Sequence, residues 1–172
     1  MPYQKGSLRT TARQLSTQST MRVKFLLLGD CNVGKSYIIK RYRYIHALSQ
    51  SKLTWDTESD KFSSTYEPTI GIDLVLGNKT IMRSIDGNDV RIQMNVFDTS
   101  GDINYHKIRS EFYQDYQGVL MVFDVTNRSS FDHLERWFDE LQKHPQIPCI
   151  ILGNKCDLKS SRLITEREAK KY

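Results

Sequence analysis

No acidic residue occurs in the first 20 positions of this 172-residue chain, and the whole chain holds only three cysteines and four prolines. The cysteines, Cys31, Cys149 and Cys156, are odd in number and lack the spacing of zinc ligands, which excludes a disulfide framework and a zinc module. No apolar h-region follows the N-terminus, so no secretory signal is visible and a reduced compartment, the cytoplasm, is expected. Apolar runs are short. Phe25-Leu26-Leu27-Leu28 and Val119-Leu120-Met121-Val122-Phe123 are strand length, far below the ~20 residues of a membrane span. A stripe of excess positive charge is also missing. The net charge of +5 divides into +3 over residues 1–20, +3 over 21–60 and −1 over the rest. Charge gathered in a tail and one loop region does not suggest nucleic acid as a partner. The acid-free start reads as a disordered basic tail over residues 1–20, with an organelle transit peptide as the alternative.

What is present is ordinary globular composition, 38% hydrophobic and 26% charged. A single core of this size buries roughly 70% of the unfolded surface without staples. Arg22 to Leu28 reads as a buried strand, and Lys35 to Tyr44 as a helix. Residues 45–64 are polar and mixed, and read as a loop. Ile72, Leu74 and Leu76 alternate with polar positions, as do Val90, Ile92, Met94 and Val96, and alternation marks strands. Asp86-Gly87-Asn88-Asp89 between them is a hairpin turn signal. Val119 to Phe123 suits a central strand covered on both faces, and Pro148 to Leu152 another buried one. Between these two, Ser129 with Asp132 makes a capping pattern, and Phe131, Leu134, Trp137, Phe138 and Leu141 share a helical face. Strands alternating with helices indicate an α/β fold with a mainly parallel sheet and one antiparallel hairpin edge strand. Thr165 with Glu168 opens another helix, which the chain does not finish. The domain is therefore expected to be truncated at its C-terminus.

Gly29-Asp30-Cys31-Asn32-Val33-Gly34-Lys35-Ser36 fits G-x-x-x-x-G-K-[ST]. Glycines let consecutive backbone N–H groups turn inward onto phosphate oxygens, and the following helix adds its positive end. Lys35 reaches the β and γ phosphates, and Ser36 ligates magnesium. By chance this pattern arises on the order of once in a hundred such chains or less. Asn32 takes a position where a second glycine is common, and asparagine tolerates left-handed backbone. Cys31 is either a reactive thiol or a bland small residue.

Asn154-Lys155-Cys156-Asp157 follows a strand at the edge where ligands bind in open α/β sheets. A carboxylate such as Asp157 matches the two adjacent donors of guanine, which adenine lacks. Asp98-Thr99-Ser100-Gly101 ends a strand. Asp98 can hold magnesium through water, and the Gly101 N–H can meet a γ-phosphate. Thr69, in Tyr66-Glu67-Pro68-Thr69-Ile70-Gly71-Ile72-Asp73, can close over the metal.

With these four motifs in order, the sequence resembles the Ras-like small GTPases, most closely the Rab branch. Thr69-Ile70-Gly71-Ile72-Asp73, Phe123-Asp124-Val125-Thr126 and Gly153-Asn154-Lys155-Cys156-Asp157-Leu158 carry that likeness. The stretch from Glu111 to Gly118, and Ile38-Ile39-Lys40-Arg41-Tyr42, resemble the Rab-like subgroup called RJL, some members of which carry a J domain. The resemblance covers about residues 21–172. It implies a three-layer P-loop NTPase fold, the small G-domain. It implies GTP or GDP with magnesium as ligands, held by the loop from Gly29 through Tyr37 together with Thr69, Asp98, Gly101, Asn154, Lys155 and Asp157. Ser36, Thr69 and Asp98 would hold the metal. Two switch segments near residues 62–73 and 98–112 would meet effectors and exchange or activating factors. A monomer is expected, located in the cytoplasm or carried to the nucleus or a membrane surface by partners. No prenylation cysteine stands at the C-terminus, so membrane contact is not inferred.

Three features depart from the relatives. Asp102 occupies the place where a glutamine usually orients the attacking water, so Gly101 and Asp102 are the catalytic candidates and very slow hydrolysis is expected. Lys35 and Thr69 lie 34 positions apart, a surplus that falls as an insertion around residues 45–64. Trp55 within it is either a partner anchor or tucked onto its own domain. The resemblance implies a further strand, a base-touching loop and a final helix, which residues 1–172 do not include. The leading expectation is a guanine-nucleotide switch that hydrolyses GTP very slowly. The alternative is an interaction protein held constitutively with GTP. A P-loop kinase for adenine nucleotides is a third reading, which Asn154-Lys155-Cys156-Asp157 opposes.

Overall fold

Five strands form one sheet in the order β2-β3-β1-β4-β5 in a computed structural model that describes residues 19–49, 67–85, 88–113, 116–142 and 146–171. The strands are β1 (Ser19–Leu28), β2 (Ile72–Ile85), β3 (Asn88–Thr99), β4 (Gly118–Asp124) and β5 (Cys149–Asn154). The helices are α1 (Lys35–Ser49), α2 (His106–Phe112), α3 (Arg128–Asp132), α4 (Leu134–Leu141) and α5 (Glu166–Ala169). β1 pairs in parallel with β3 and with β4, and β4 with β5, while β2 runs antiparallel to β3. This is the mainly parallel sheet with one antiparallel edge strand that the sequence implies.

β1 sits at the centre, where the connections diverge to opposite sides, and ligands bind at the carboxyl ends of the strands beside such a switch point. Its alternation sorts the layers. Leu26 and Leu28 join a core with Val119, Met121, Phe131, Leu134 and Trp137, whereas Leu27 packs with Ile39 of α1. Helices therefore cover both faces. β4 is buried almost throughout, as a continuous apolar run requires.

Several local expectations need correction. β1 begins at Ser19 and not at Arg22, because the ladder to β3 continues back to Ser19–Val90. α1 runs on to Ser49, five residues past Tyr44. Ile45-His46-Ala47-Leu48-Ser49 holds no glycine or proline, and alanine and leucine favour helix, so nothing stops it. The polar segment thus starts as helix. The rest of it, including Trp55, lies outside the described residues, as do Asp86 and Gly87 of the hairpin turn, although Ile85 and Asn88 pair on either side. The hairpin is longer than its alternating cores and carries a register shift between Leu76 and Thr80. β5 is an edge strand among the described residues. Ile150 is 57% exposed there, not buried as its apolar run suggests.

The helix expected to start at Ser129 is capped two residues earlier. The Asn127 side chain accepts from the Ser129 N–H, and Asp132 pairs with Arg128 instead of closing a box. A turn at His133 separates α3 from α4, yet Phe131, Leu134, Trp137 and Leu141 still share the core. At α5 the Thr165 side chain does accept from the Glu168 N–H. The Glu168 carboxylate turns to Arg128.

Candidate functional site

The loop from Gly29 to Gly34 joins the end of β1 to the start of α1. Asn32 adopts φ +61°, the left-handed conformation expected of it. Gly34 has φ +96°, and a Cβ there would lie 2.2 Å from the Asn154 amide nitrogen, so only glycine fits. Val33 is buried and anchors the loop, while Cys31 is exposed on it. Lys35 folds back across the loop, donating to the carbonyls of Gly29 and Asp30 at 2.7 Å each. It is only 6% exposed. Burial lowers its pKa to about 8 against the opposing pull of Asp98, Cys31 and Asp30. A buried ammonium held by two carbonyls is short of negative charge, which an anion in the loop would supply.

Ser36, Thr69 and Asp98 come together from α1, the segment before β2, and β3. Ser36 Oγ donates to Asp98 Oδ2 at 2.5 Å, Thr69 Oγ1 donates to the same oxygen at 3.1 Å, and the two hydroxyls lie 3.0 Å apart. Asp98 Oδ1 is buried without a hydrogen-bond partner. Burial raises the Asp98 pKa, although Ser36, Lys35 and Thr69 oppose it. A buried carboxylate with one unpartnered oxygen beside two hydroxyls fits a small hard cation such as magnesium.

Gly101 presses on the phosphate loop. A Cβ on it would lie 2.3 Å from Asp30 C and Cys31 N. Its segment is tied down on both sides. Thr99 Oγ1 donates to the Leu27 carbonyl at 2.6 Å, and the Ser100 N–H to the Gly71 carbonyl at 2.8 Å. Asp102 caps the 3-10 turn Ile103–Tyr105, its Oδ1 accepting from the Asn104 N–H at 2.9 Å. These residues border a cleft of about 400 Å³, walled by Cys31, Lys35, Ser36, Tyr37, Thr69 and Asp102 among others.

The guanine candidates are placed differently. Asn154 donates from Nδ2 to the Val33 carbonyl at 2.8 Å, tying the loop after β5 to the phosphate loop. Lys155 has φ +61° and its ammonium meets Asp124 Oδ2 at 2.7 Å. Burial pushes the Asp124 carboxyl up, but Lys155 and the Thr126 donors outweigh it and hold it below the usual value. Asp157 is exposed. None of the three lines the phosphate cleft. Asp30 does not aim its side chain into the cleft either. Its carboxylate accepts from Trp137 Nε1 at 2.9 Å and Arg136 Nη2 at 3.1 Å, and meets His133 Nδ1 at 2.6 Å.

Sequence reasoning missed Arg109 and Glu140. Arg109 is fully buried, and its Nη1 donates to the carbonyls of Ser100 and Asp102 at 3.0 and 2.6 Å. Its Nη2 meets Glu140 Oε1 at 3.0 Å, and the Tyr113 hydroxyl donates to Glu140 Oε2 at 2.5 Å. Burial and the Glu140 carboxylate push the Tyr113 pKa up. The spacing of His133, Arg136, Trp137 and Glu140 sets them in one stripe along a helix, but that spacing alone does not single out Glu140 and says nothing of Arg109.

A profile of the Ras family matches residues 24–172. The chain is 32% identical over 153 residues to the Ras-related protein Rab-10 of Caenorhabditis elegans, covering 88% of this chain and 66% of that one. It is 31% identical over 150 residues to the Ras-related protein Rab-8A of Bos taurus, covering 86% and 62%. The chain thus spans a little under two thirds of the length of these relatives. The ordered motifs, the sheet that carries them and the family match lead to one conclusion: the chain belongs to the Ras family, among its Rab-like small GTPases.

Proposed function

We propose that this chain is a guanine-nucleotide switch that binds GTP or GDP with magnesium and hydrolyses GTP very slowly. The observation that carries the reading is the meeting of Ser36, Thr69 and Asp98 beside Lys35 and Gly101, at the carboxyl end of the central strands. The loop N–H groups bind phosphate, Lys35 neutralises it, and Gly101 offers an N–H to a γ-phosphate. Ser36, Thr69 and Asp98 would hold magnesium, whose charge would be shared with the phosphates. Asn154 steadies the phosphate loop through Val33, and Asp157 reads the base. Effectors and regulators would meet the exposed apolar side chains Ile70 and Leu74 on one switch side and Ile103, Ile108 and Phe112 on the other. Placement within the RJL subgroup is supported by the stretch from Glu111 to Gly118. The cytoplasm is the proposed compartment, supported by three free cysteines.

The test is chromatography of nucleotide released when the purified protein is denatured. Guanine nucleotide is expected. An adenine nucleotide, or ATP competing equally with GTP, would overturn the reading. Asp102 favours a second reading, a constitutively GTP-bound interaction protein, because its carboxylate is committed to capping a turn and does not orient water. Mostly GTP in the released pool, with no acceleration of turnover by cell extract, would select it.

A further inference from the structure

Two loops that face the phosphates are gripped by one helix. His133, Arg136, Trp137 and Glu140 stand at i, i+3, i+4 and i+7, so they form one stripe along α4 and its first flanking residue. The first three converge on the Asp30 carboxylate of the phosphate loop. The fourth holds Arg109, which in turn holds the carbonyls on either side of Gly101. The guanidinium also lies over the Trp137 ring, 4.7 Å from its centroid. The Arg109 side chain is 0% exposed and that of Glu140 only 6%. A charge so buried is tolerated only while its partners stay in place. Arg109 Nε has no hydrogen-bond partner, so all of the guanidinium's hydrogen bonds come from its terminal nitrogens. Moving Ser100 and Asp102 away would leave the buried Nη1 without its acceptors.

We infer that Arg109, anchored on Glu140, is a positioning residue that sets the Gly101 segment in place before a γ-phosphate arrives. The inference rests on the proposed nucleotide switch and deepens it. In a switch whose Gly101 segment is loose, part of the γ-phosphate's binding energy goes into recruiting that segment, and affinity falls by the fraction of molecules already competent. Here the recruitment is done by the fold. The clamp therefore favours GTP over GDP, because only GTP uses the Gly101 N–H. The Asp30 grip acts on the phosphate loop, which both nucleotides use, and so has no such preference. One helix thus governs affinity through Asp30 and γ-phosphate discrimination through Arg109.

The experiment loads the full chain with fluorescent GDP or a fluorescent non-hydrolysable GTP analogue in magnesium and follows dissociation after excess unlabelled nucleotide is added. The variants are Arg109→Lys, Glu140→Gln and Trp137→Phe. Lysine has one nitrogen where Arg109 uses Nη1 for the carbonyls and Nη2 for the carboxylate, glutamine keeps the shape but removes the charge, and phenylalanine keeps the ring but removes the donor to Asp30. Arg109→Lys and Glu140→Gln are expected to speed release of the GTP analogue about tenfold and of GDP less than about threefold. Trp137→Phe is expected to speed both alike. Melting curves check folding, and the isosteric Glu140→Gln carries the test if Arg109→Lys does not fold. Equal acceleration of both nucleotides by Glu140→Gln, as a purely structural role requires, would overturn the inference, as would no change. A wild-type chain that retains neither nucleotide would overturn the switch reading itself, and the inference with it.

Discussion

Asp102→Gln separates two roles that one carboxylate holds. In the structure Asp102 is extended, its Oδ1 accepts from the Asn104 N–H at 2.9 Å, and the residue borders the phosphate cleft. Glutamine is a poor cap, and losing an aspartate cap costs about 0.5–2 kcal/mol. For a domain of this size each kcal/mol lowers the melting temperature by roughly 2–4 °C. The electrostatic effect has the opposite sign for catalysis. A carboxylate about 5 Å from one phosphate charge raises the energy by about 3 kcal/mol at an effective dielectric of about 20. Lys35 and magnesium offset part of that. If the repulsion is larger in the transition state than in bound GTP by about half that amount, its removal is worth about tenfold in rate, before any water-orienting by the new amide.

The assay is single-turnover phosphate release from bound GTP, with thermal unfolding of the GDP form in parallel. The wild type is expected at or below about 10⁻⁴ s⁻¹, the range of a protein without an arginine finger. Asp102→Gln should hydrolyse about tenfold faster or more, while melting a few degrees lower. Unchanged hydrolysis with a lowered melting temperature would refute the electrostatic argument and leave Asp102 as a cap alone.

Asn154→Ala removes the bond to the Val33 carbonyl, worth about 1 kcal/mol, and stopped-flow measurement should find GDP release several-fold faster. Chelating magnesium with EDTA should speed nucleotide release about tenfold or more, because the phosphates lose a divalent counter-charge. In the same experiment Asp98→Asn should respond to EDTA far less than the wild type. Trp137→Ala empties a fully buried core position at a cost of about 3–5 kcal/mol, and calorimetry should show a melting temperature roughly 10 °C lower.

Most of the fold was legible because its signals are local. The apolar run of β4 reflects that strand's own burial, and the positive φ of Gly29 and Gly34 reflects the loop's own backbone demand. Errors fell where neighbours decide. The run Cys149–Leu152 is as apolar as a central strand, but only the face carrying Cys149 and Ile151 packs on the core, and Ile150 on the opposite face is left exposed. Ser129 and Asp132 have capping chemistry, but Asn127 also has it and sits two residues closer to β4. Competition between adjacent caps is settled by where the strand releases the chain, which no local pattern states.

That Ser36, Thr69 and Asp98 would stand together beside Lys35 was legible for the same reason, because each lies in a motif that is a contiguous piece of backbone geometry. The stripe on α4 was not, and Trp137 shows why. Its ring obeys the apolar periodicity and lies in the core, so the periodicity alone explains its presence. Its indole N–H and its neighbours one turn away serve partners distant in the chain. Asp30 lies 107 positions before Trp137, and Arg109 lies 31 before Glu140. Nothing in the local sequence of α4 distinguishes an arginine or glutamate that meets water from one that meets a buried charge. The distinction arises only when β1, β3 and β4 stack side by side and bring both loops over the same helix face. Catalytic motifs can be read from a sequence because phosphate geometry constrains them locally. What holds the motifs in register is set by the sheet order, and it becomes readable only once that order is known.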